Sequence, residues 1–263
     1  MLGAMIGDIV GSIYEFEPIK TKEFPFWGQG CFFTDDTVMT AAVAKALLES
    51  CDLDHSEIRS ALIRNMQEFG ALYPNAGYGL RFERWLCSED PQPYNSWGNG
   101  SAMRVSSAGW LCHNLEETMT LARLSAEVTH NHPEGVKGAQ AVAAAIYLLR
   151  TGKTKQEVKR YIQGIFQYDF RKKLVQIRPD YGFEASCQRS VPQAMTAFWE
   201  SESFEDCIRN AISLGGDSDT LGAIAGSLAE AYYGIPEDLK HEGMRRLDER
   251  ILSVYQDFLN WRL

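Results

Sequence analysis

Hydrophobic residues recur along most of this 263-residue chain with the three- and four-residue spacing of an α-helix. The spacing is clearest in three segments: Val38, Ala42 and Ala46; Val136, Ala139, Ala143 and Ile146; and Leu247, Ile251, Val254, Phe258 and Trp261. No segment shows the sustained alternation of apolar and polar residues that is typical of a half-buried strand. The pattern therefore predicts an all-α protein.

Signals for the first residue of a helix agree with this prediction. Thr154–Glu157 and Ser203–Asp206 match the capping box, in which a hydroxyl and an acid three residues later satisfy each other's backbone amides. Pro236 fits the first helical position, where its missing amide hydrogen costs nothing. Both kinds of signal place helix starts between the apolar repeats.

The least regular stretches are rich in glycine, proline and aromatic residues. They cover residues 17–34, 88–100 and 164–186. We expect loops around a site there, because long ordered loops are often functional. No proline- or serine-rich linker divides the chain, so we expect one domain over residues 1–263.

Two helical segments, Gly3–Gly11 and Thr220–Ala229, consist largely of small residues. Glycine inside a helix costs up to ~1 kcal/mol relative to alanine, so close packing should compensate for it. We expect residues 220–229 to form the central helix of a compact orthogonal bundle.

Charge and cysteine content narrow the function. The chain has 26 basic and 35 acidic residues, a formal net charge of −9 that argues against a nucleic-acid partner. Its six cysteines are scattered without a Cys-x-x-Cys motif, as in a cytoplasmic protein with reduced, mostly buried thiols. They are Cys31, Cys51, Cys87, Cys112, Cys187 and Cys207.

The sequence shows no membrane-targeting signal. The first eight residues lack a basic region, and Asp8 interrupts their apolar run, so they do not form a signal peptide. No stretch approaches 18 apolar residues, so no membrane-spanning helix is expected. We expect a cytoplasmic monomer.

Two acidic clusters, Thr34–Thr37 and Gly215–Thr220, lie about 180 residues apart and are the strongest chemical signal. Each leads into an alanine-rich helical pattern. Carboxylate and hydroxyl oxygens at adjacent or alternate positions suit a hard divalent cation. The alternative is that each cluster only caps its helix. A cap needs only one carboxylate, and carboxylates placed close together repel each other. Because each cluster nevertheless contains two, the pattern favours metal binding.

Three further segments contain candidate site residues. Ser96–Arg104 is glycine-rich and opens a helix, so its amides could face a phosphate, although a plain helix start fits equally. The histidines of Thr129–Gly135 could be ligands, phosphate contacts or caps. Glu15 follows Asp8 by about two helical turns and could reach a metal site or remain solvated.

Taken together, these segments resemble the ADP-ribosylglycohydrolase family, which includes the dinitrogenase-reductase-activating glycohydrolases. The resemblance extends over nearly the whole chain and rests on six motifs in the same order: Gly7–Glu15, Thr34–Thr37, Gly98–Arg104, Thr129–His130, Ser186–Pro192 and Gly215–Thr220. It implies an all-α fold with a cleft that binds ADP-ribose and a centre of two divalent cations, Mg²⁺ or Mn²⁺.

Matching positions extend the resemblance to individual residues. It implies metal ligation by Thr34, Asp35, Asp36, Asp217, Asp219 and Thr220. Glu15 matches a mobile glutamate of the family, and Asp36 or Glu15 would be the general base. The pocket for the diphosphate and the distal ribose would be lined by Ser96, Trp97, Gly98, Asn99, Gly100 and Ser101. His130 would lie on the adenosine side, and Tyr181 or Phe183 would stack on adenine.

The implied activity is metal-dependent hydrolysis of the bond between the distal ribose of ADP-ribose and a modified group. A water activated by two metal ions would be the nucleophile. The modified group would be an arginine or serine side chain or a small molecule, and the sequence leaves this choice open. The alternatives are a metal-dependent hydrolase of phosphate esters and a non-catalytic ADP-ribose-binding protein.

Overall fold

The computed structural model describes residues 1–50 and 53–262, and α-helices dominate them. Within this part of the chain there is no strand, only an isolated antiparallel bridge between Gly98 and Ser186. The all-α prediction is confirmed. The helices are α1 (Leu2–Gly11), α2 (Asp35–Ser50), α3 (His55–Leu72), α4 (Leu80–Leu86), α5 (Gly100–Met103), α6 (Ser106–Leu111), α7 (Leu115–Glu127), α8 (Pro133–Arg150), α9 (Lys155–Phe166), α10 (Leu174–Ile177), α11 (Cys187–Trp199), α12 (Phe204–Ile212), α13 (Ser218–Tyr233), α14 (Glu237–Arg245) and α15 (Glu249–Arg262).

Helix α13 is the central helix, as predicted. Every residue from Ser218 to Ala229 is buried, and the helix packs against α1, α8, α11 and α12. Helix α1 is buried along its whole length. Small side chains are needed in both helices because each is enclosed on all sides.

Helices α1 and α13 are in backbone contact because glycines face each other where the helices cross. A Cβ atom added at Gly7 would lie 1.9 Å from the carbonyl oxygen of Gly222. One added at Gly11 would lie 2.3 Å from the carbonyl oxygen of Ser218. Only glycine fits at these positions. The contact brings the last turn of α1 beside the first turn of α13, where the second acidic cluster ends.

The two predicted capping boxes differ in outcome. At α9 the box is complete: Glu157 N donates to Thr154 Oγ1 at 3.3 Å, and Thr154 N donates to the Glu157 carboxylate at 2.9 Å. At α12 only half of it forms, because Asp206 N donates to Ser203 Oγ at 3.1 Å. The Asp206 carboxylate instead accepts from the amide of Glu202. Both hydroxyls nevertheless cap the predicted helix starts.

Two details of the sequence prediction were wrong. Pro236 lies one residue before α14 and is its N-cap rather than its first residue. Residues 164–186 are not all loop, because α9 continues to Phe166 and the short helix α10 lies within the stretch. Leu174 and Ile177 of α10 are buried, so one helical turn attaches this stretch to the core.

The cysteines in the described part of the chain are all buried except Cys87. The prediction of mostly buried thiols is confirmed for these five, whereas Cys51 lies outside the described residues. None of the helices described is both long and apolar enough to span a bilayer.

Candidate active site

A cleft of about 640 Å³ is lined by residues that follow the 3₁₀ turn Ser12–Tyr14, by the start of α2, by the middle of the chain and by the start of α13. Its volume is within the usual range for small-molecule sites. Every residue predicted for the metal site lies in its wall: Glu15, Thr34, Asp35, Asp36, Asp217, Asp219 and Thr220.

The first acidic cluster is held by a carboxylate from another helix. Asp8, fully buried in α1, accepts hydrogen bonds from Thr34 N at 2.9 Å, Thr34 Oγ1 at 2.7 Å and Thr37 N at 3.0 Å. Asp35 N donates to the carbonyl oxygen of Ala76 at 2.9 Å. These contacts fix the first turn of α2 and leave the carboxylates of Asp35 and Asp36 in the cleft wall.

The second acidic cluster begins with two glycines that have positive φ angles. Gly215 has φ of +62° and Gly216 has φ of +142°. A Cβ at Gly216 would also lie 2.6 Å from the carbonyl oxygen of Gly182, so the turn requires glycine. Immediately after it, the Asp217 carboxylate accepts a hydrogen bond of 2.7 Å from Asn99 Nδ2.

The two clusters meet at the start of their helices. Thr220 Oγ1 donates to Asp36 Oδ2 at 3.2 Å, which joins α13 directly to α2. Carboxylate oxygens of Glu15, Asp217 and Asp219 lie within 4.8 Å of one another. The fold therefore brings together acidic residues from three separate parts of the sequence.

Burial and mutual repulsion raise the pKa values of this acidic group. Burial, followed by the charge of Asp219, raises the pKa of Asp8 and of Glu15 to about 7. The same two causes raise the pKa values of three further acids well above their usual range: Asp35, Asp36 and Asp217. A bound cation would offset this concentration of negative charge.

Within the described part of the chain, the carboxylates of Asp35, Asp36 and Asp217 make no capping hydrogen bond, whereas Asp219 Oδ1 accepts from the amide of Thr220 at 2.9 Å. Asp217 occupies the N-cap position of α13, but its side chain makes no capping hydrogen bond. At α2 the amide of Asp36 faces Thr34 Oγ1 at 3.4 Å, and that of Thr37 donates to Asp8. Asp36 Oδ1 is buried and has no hydrogen-bond partner among the described residues. An unpaired buried carboxylate oxygen among hard oxygen donors fits a divalent cation better than a cap.

The glycine-rich segment forms another part of the cleft wall, next to Asp217. Ser96, Gly98, Asn99, Gly100 and His130 all line it. The segment is attached to the start of α11, because Asn99 N donates to Ala185 O at 2.8 Å and Cys187 N to Trp97 O at 2.9 Å. It therefore holds Asn99 between the cleft and Asp217.

Two predicted substrate-binding residues lie elsewhere. Trp97 is outside the cleft wall and packs edge-on against His132, with ring centroids 5.8 Å apart. Ser101 is fully buried, and its hydroxyl donates to the carbonyl oxygen of Gly135 at 2.8 Å. His132 caps α8, since its Nδ1 accepts from Glu134 N at 3.1 Å. These three side chains connect the wall to α8.

Sequence reasoning missed the role of Asp8 and did not assign the apolar residues at the cleft mouth. An ionisable residue inside an apolar, small-residue helix was the available signal for Asp8. At the mouth, Phe16, Phe32, Leu80 and Phe183 line the cleft and are strongly exposed. Of the two candidates for stacking on adenine, Phe183 is in the wall, whereas Tyr181 is buried outside it.

Comparison with known proteins identifies relatives over the whole chain. The family model described as ADP-ribosylglycohydrolase matches residues 1–261. ADP-ribosylhydrolase ARH3 of Mus musculus is 25% identical, and the alignment covers 98% of this chain and 90% of the relative. ADP-ribosylarginine hydrolase Tri1 of Pseudomonas putida (strain GB-1) is 29% identical over 89% of this chain and 70% of its own length.

Two further similarities agree with these. The ADP-ribosyl-[dinitrogen reductase] glycohydrolase of Rhodospirillum rubrum is 26% identical, covering 95% of this chain and 89% of the relative. A solved structure of an ADP-ribosylglycohydrolase-related protein complex superposes with a TM-score of 0.73 at 25% identity. That superposition covers all of this chain and 96% of the other.

Proposed function

Because the chain belongs to the ADP-ribosylglycohydrolase family, we propose that its cleft binds the ADP-ribosyl group and its two acidic clusters hold divalent cations at the bond to be cleaved. The protein is a hydrolase of ADP-ribose linkages, as the family and its relatives indicate. The observation that carries the proposal is the hydrogen bond between Thr220 Oγ1 and Asp36 Oδ2, which unites the two clusters beside the cleft.

The residues that would hold two cations, Mg²⁺ or Mn²⁺, are Thr34, Asp35, Asp36, Asp217, Asp219 and Thr220. All offer oxygen atoms, and all lie in the cleft wall. When bound, the cations would lower the pKa of an attacking water and offset the charge of the carboxylates. The buried Asp36 Oδ1, which has no hydrogen-bond partner in the described part of the chain, supports this assignment.

Glu15 is the better candidate for the general base. It is only partly buried and follows the 3₁₀ turn Ser12–Tyr14, so it has room to approach a substrate. Without a bound cation, burial and the charge of Asp219 raise its pKa to about 7. Asp36 is almost fully buried, and one of its oxygens accepts from Thr220. We therefore assign Glu15 as the base and Asp36 as a ligand.

The wall formed by the glycine-rich segment and His130 would bind the rest of the ADP-ribosyl group. Ser96, Gly98, Asn99, Gly100 and His130 would face the diphosphate and the ribose rings. Phe183, 63% exposed in the cleft wall, would stack on adenine. Trp97 and Ser101 would support this wall rather than contact the ligand.

The apolar residues beside the metal clusters would meet the group released by cleavage. Phe16 follows Glu15 directly, and Phe32 lies two residues before Thr34. Both are more than half exposed at the cleft mouth. They would contact a modified protein side chain, arginine or serine, or a small-molecule aglycone. Water, rather than another acceptor, would take the ribose and release free ADP-ribose.

The test is release of ADP-ribose, measured by chromatography, from ADP-ribosyl-arginine, an ADP-ribosyl-serine peptide and O-acetyl-ADP-ribose with Mg²⁺ or Mn²⁺. Turnover of at least one, lost in Asp219→Asn and kept in Asp257→Asn, is expected. Asp257 is an exposed acid on α15 and serves as the charge-matched control. Hydrolysis of a phosphate ester alone would favour the phosphatase alternative. ADP-ribose binding without turnover would favour a non-catalytic binder.

A further inference from the structure

A chain of three buried side chains lies beside the glycine-rich segment of the cleft wall. Arg104 Nη2 donates to Thr129 Oγ1 at 2.7 Å and to the carbonyl oxygen of Ser125 at 2.9 Å. Thr129 Oγ1 lies 2.7 Å from Nδ1 of His130. Arg104, Thr129 and His130 are all at least nine-tenths buried. Only the last of them lay among the residues predicted to bind substrate.

The direction of these hydrogen bonds follows from the chemistry of the groups. A guanidinium group can only donate, so the Thr129 oxygen accepts from Arg104. The hydroxyl has one hydrogen of its own, and His130 Nδ1 is the remaining partner within hydrogen-bond distance among the described residues. A buried hydroxyl left without an acceptor would be costly. The hydroxyl therefore donates to Nδ1, and a neutral imidazole then carries its proton on Nε2.

The protonated nitrogen faces the cleft through a gap kept open by glycine. A Cβ atom at Gly98 or at Gly100 would lie 3.3 Å from His130 Nε2. In the described part of the chain Nε2 has no hydrogen-bond partner, although His130 lines the cleft. Burial, and then the charge of Arg104, hold the pKa of His130 well below its usual value, so the ring stays neutral.

We propose that Arg104 and Thr129 are positioning residues that fix His130 as the Nε2–H tautomer, so that it donates one hydrogen bond to an acceptor oxygen of the ADP-ribosyl group. The identity of the ligand rests on the proposed function. The tautomer rests only on the geometry of the protein. The two glycines explain why this wall is glycine-rich: side chains there would block the approach to Nε2.

The first experiment tests the tautomer in the free protein by ¹⁵N NMR of the histidine side chains. A spectrum of His130→Gln identifies the His130 signals among those of the five histidines. We expect protonated Nε2 and hydrogen-bonded, unprotonated Nδ1. In Thr129→Val the Nδ1 signal should move to the value of a nitrogen without a donor, whereas Thr129→Ser should keep the wild-type value. A wild-type ring protonated on Nδ1 would overturn the proposal.

The second experiment tests the consequence for binding, measured by calorimetry with ADP-ribose. Thr129→Val should weaken binding about ten-fold, the usual effect of losing one well-placed hydrogen bond, and Thr129→Ser less than about two-fold. Gly100→Ala should weaken binding comparably while leaving the Nδ1 signal unchanged, because it blocks Nε2 without touching Thr129. Wild-type affinity in both Thr129→Val and Gly100→Ala would refute the role of Nε2. If the wild type binds no ADP-ribose, the proposed function fails, and the NMR result still decides the tautomer.

Discussion

Asp8 and Thr34 are joined by two hydrogen bonds, one from the backbone amide of Thr34 at 2.9 Å and one from its hydroxyl at 2.7 Å. Asp8 also accepts from the amide of Thr37 at 3.0 Å. The start of α2 is therefore capped by a carboxylate from α1. This arrangement leaves Asp35 and Asp36 free to face the cleft, because their helix does not need them as caps.

Replacing Asp8 with alanine should destabilise the protein by about 2–3 kcal/mol, because three buried donors lose their acceptor. Asp8→Asn should cost less, since the amide oxygen can still accept from the amides of Thr34 and Thr37. Urea unfolding of both variants measures the difference. Calorimetric titration with Mg²⁺ should show weaker binding in Asp8→Ala, because Thr34 and Thr37, which flank Asp35 and Asp36, lose the acceptor that holds them in place. An unfolding free energy equal to that of the wild type would contradict this account.

The helical fold could be predicted because its signals are local. The capping box at Thr154 and the apolar repeats each involve residues within a few turns. The small residues of α1 and α13 also indicated close packing. They did not indicate which helix each of the two packs against. Gly7 meets Gly222, near the other end of the chain. Such a pairing depends on tertiary structure and leaves no local pattern.

The site could be predicted only in part, for a related reason. Acidic doublets and a glycine-rich segment are visible in the sequence, and the fold brings them to one cleft. Which side chains of a segment face the cleft depends on its local turn. Ser101, in the first turn of the short helix α5, points to Gly135 of α8 instead of the ligand side. The role of Asp8 was hidden because its partners are 26 and 29 residues away.

The stability of the metal-free protein should depend on pH through the acidic group. The unfolded chain releases protons from Asp and Glu near pH 4, whereas folded Asp8 and Glu15 keep theirs until about pH 7. Folding therefore binds protons in this window, and stability should fall as pH rises from about 4 to 7. Thermal melts in chelator at several pH values test this. A melting temperature that rises across the window would contradict it.

Divalent cations should reverse this fall in stability at higher pH. Cations compete with protons for the same carboxylates, so added Mg²⁺ or Mn²⁺ should raise the melting temperature more at pH 8 than at pH 5. Removal of the metal with chelator should restore the lower value. The same thermal melts, repeated with each cation, measure the increase in melting temperature. Equal gains at the two pH values would indicate a cation site other than the acidic clusters.

Asp219→Asn should show how the charge of this residue affects stability and activity without a change in the fold. The charge of Asp219 contributes to the raised pKa of each of five neighbours: Asp8, Glu15, Asp35, Asp36 and Asp217. Its removal should stabilise the metal-free protein at pH 8, by an amount on the order of a few kcal/mol. The variant should no longer be stabilised by cations. It should also lose its hydrolytic activity.

The comparison for Asp219→Asn is Asp257→Asn, which removes the same charge from an exposed position on α15. It should leave the melting temperature, its increase with Mg²⁺ and the turnover rate close to wild type. Circular dichroism should show unchanged helix content in both variants. Metal-dependent turnover retained by Asp219→Asn would exclude this residue from the metal site.

Gly7→Ala should be strongly destabilising because the added methyl group would overlap the backbone of α13. The new Cβ would lie 1.9 Å from the carbonyl oxygen of Gly222, and a backbone atom cannot rotate away. Overpacking usually costs about 1–3 kcal/mol, and contact with backbone should place this change at or above the upper end. Because α1 carries Asp8 and α13 carries Asp219, separation of the helices should also weaken cation binding.

Gly164→Ala supplies the matched substitution. Gly164 is an exposed residue of α9, and apart from the backbone of its own helix and its chain neighbours no described atom lies within 4 Å of an added Cβ. There the same change should stabilise the protein by up to about 1 kcal/mol through helix propensity alone. Chemical unfolding of the two variants measures effects of opposite sign. A Gly7→Ala protein as stable as Gly164→Ala would show that α1 and α13 are not in backbone contact, and the route by which the fold joins the two acidic clusters would have to differ.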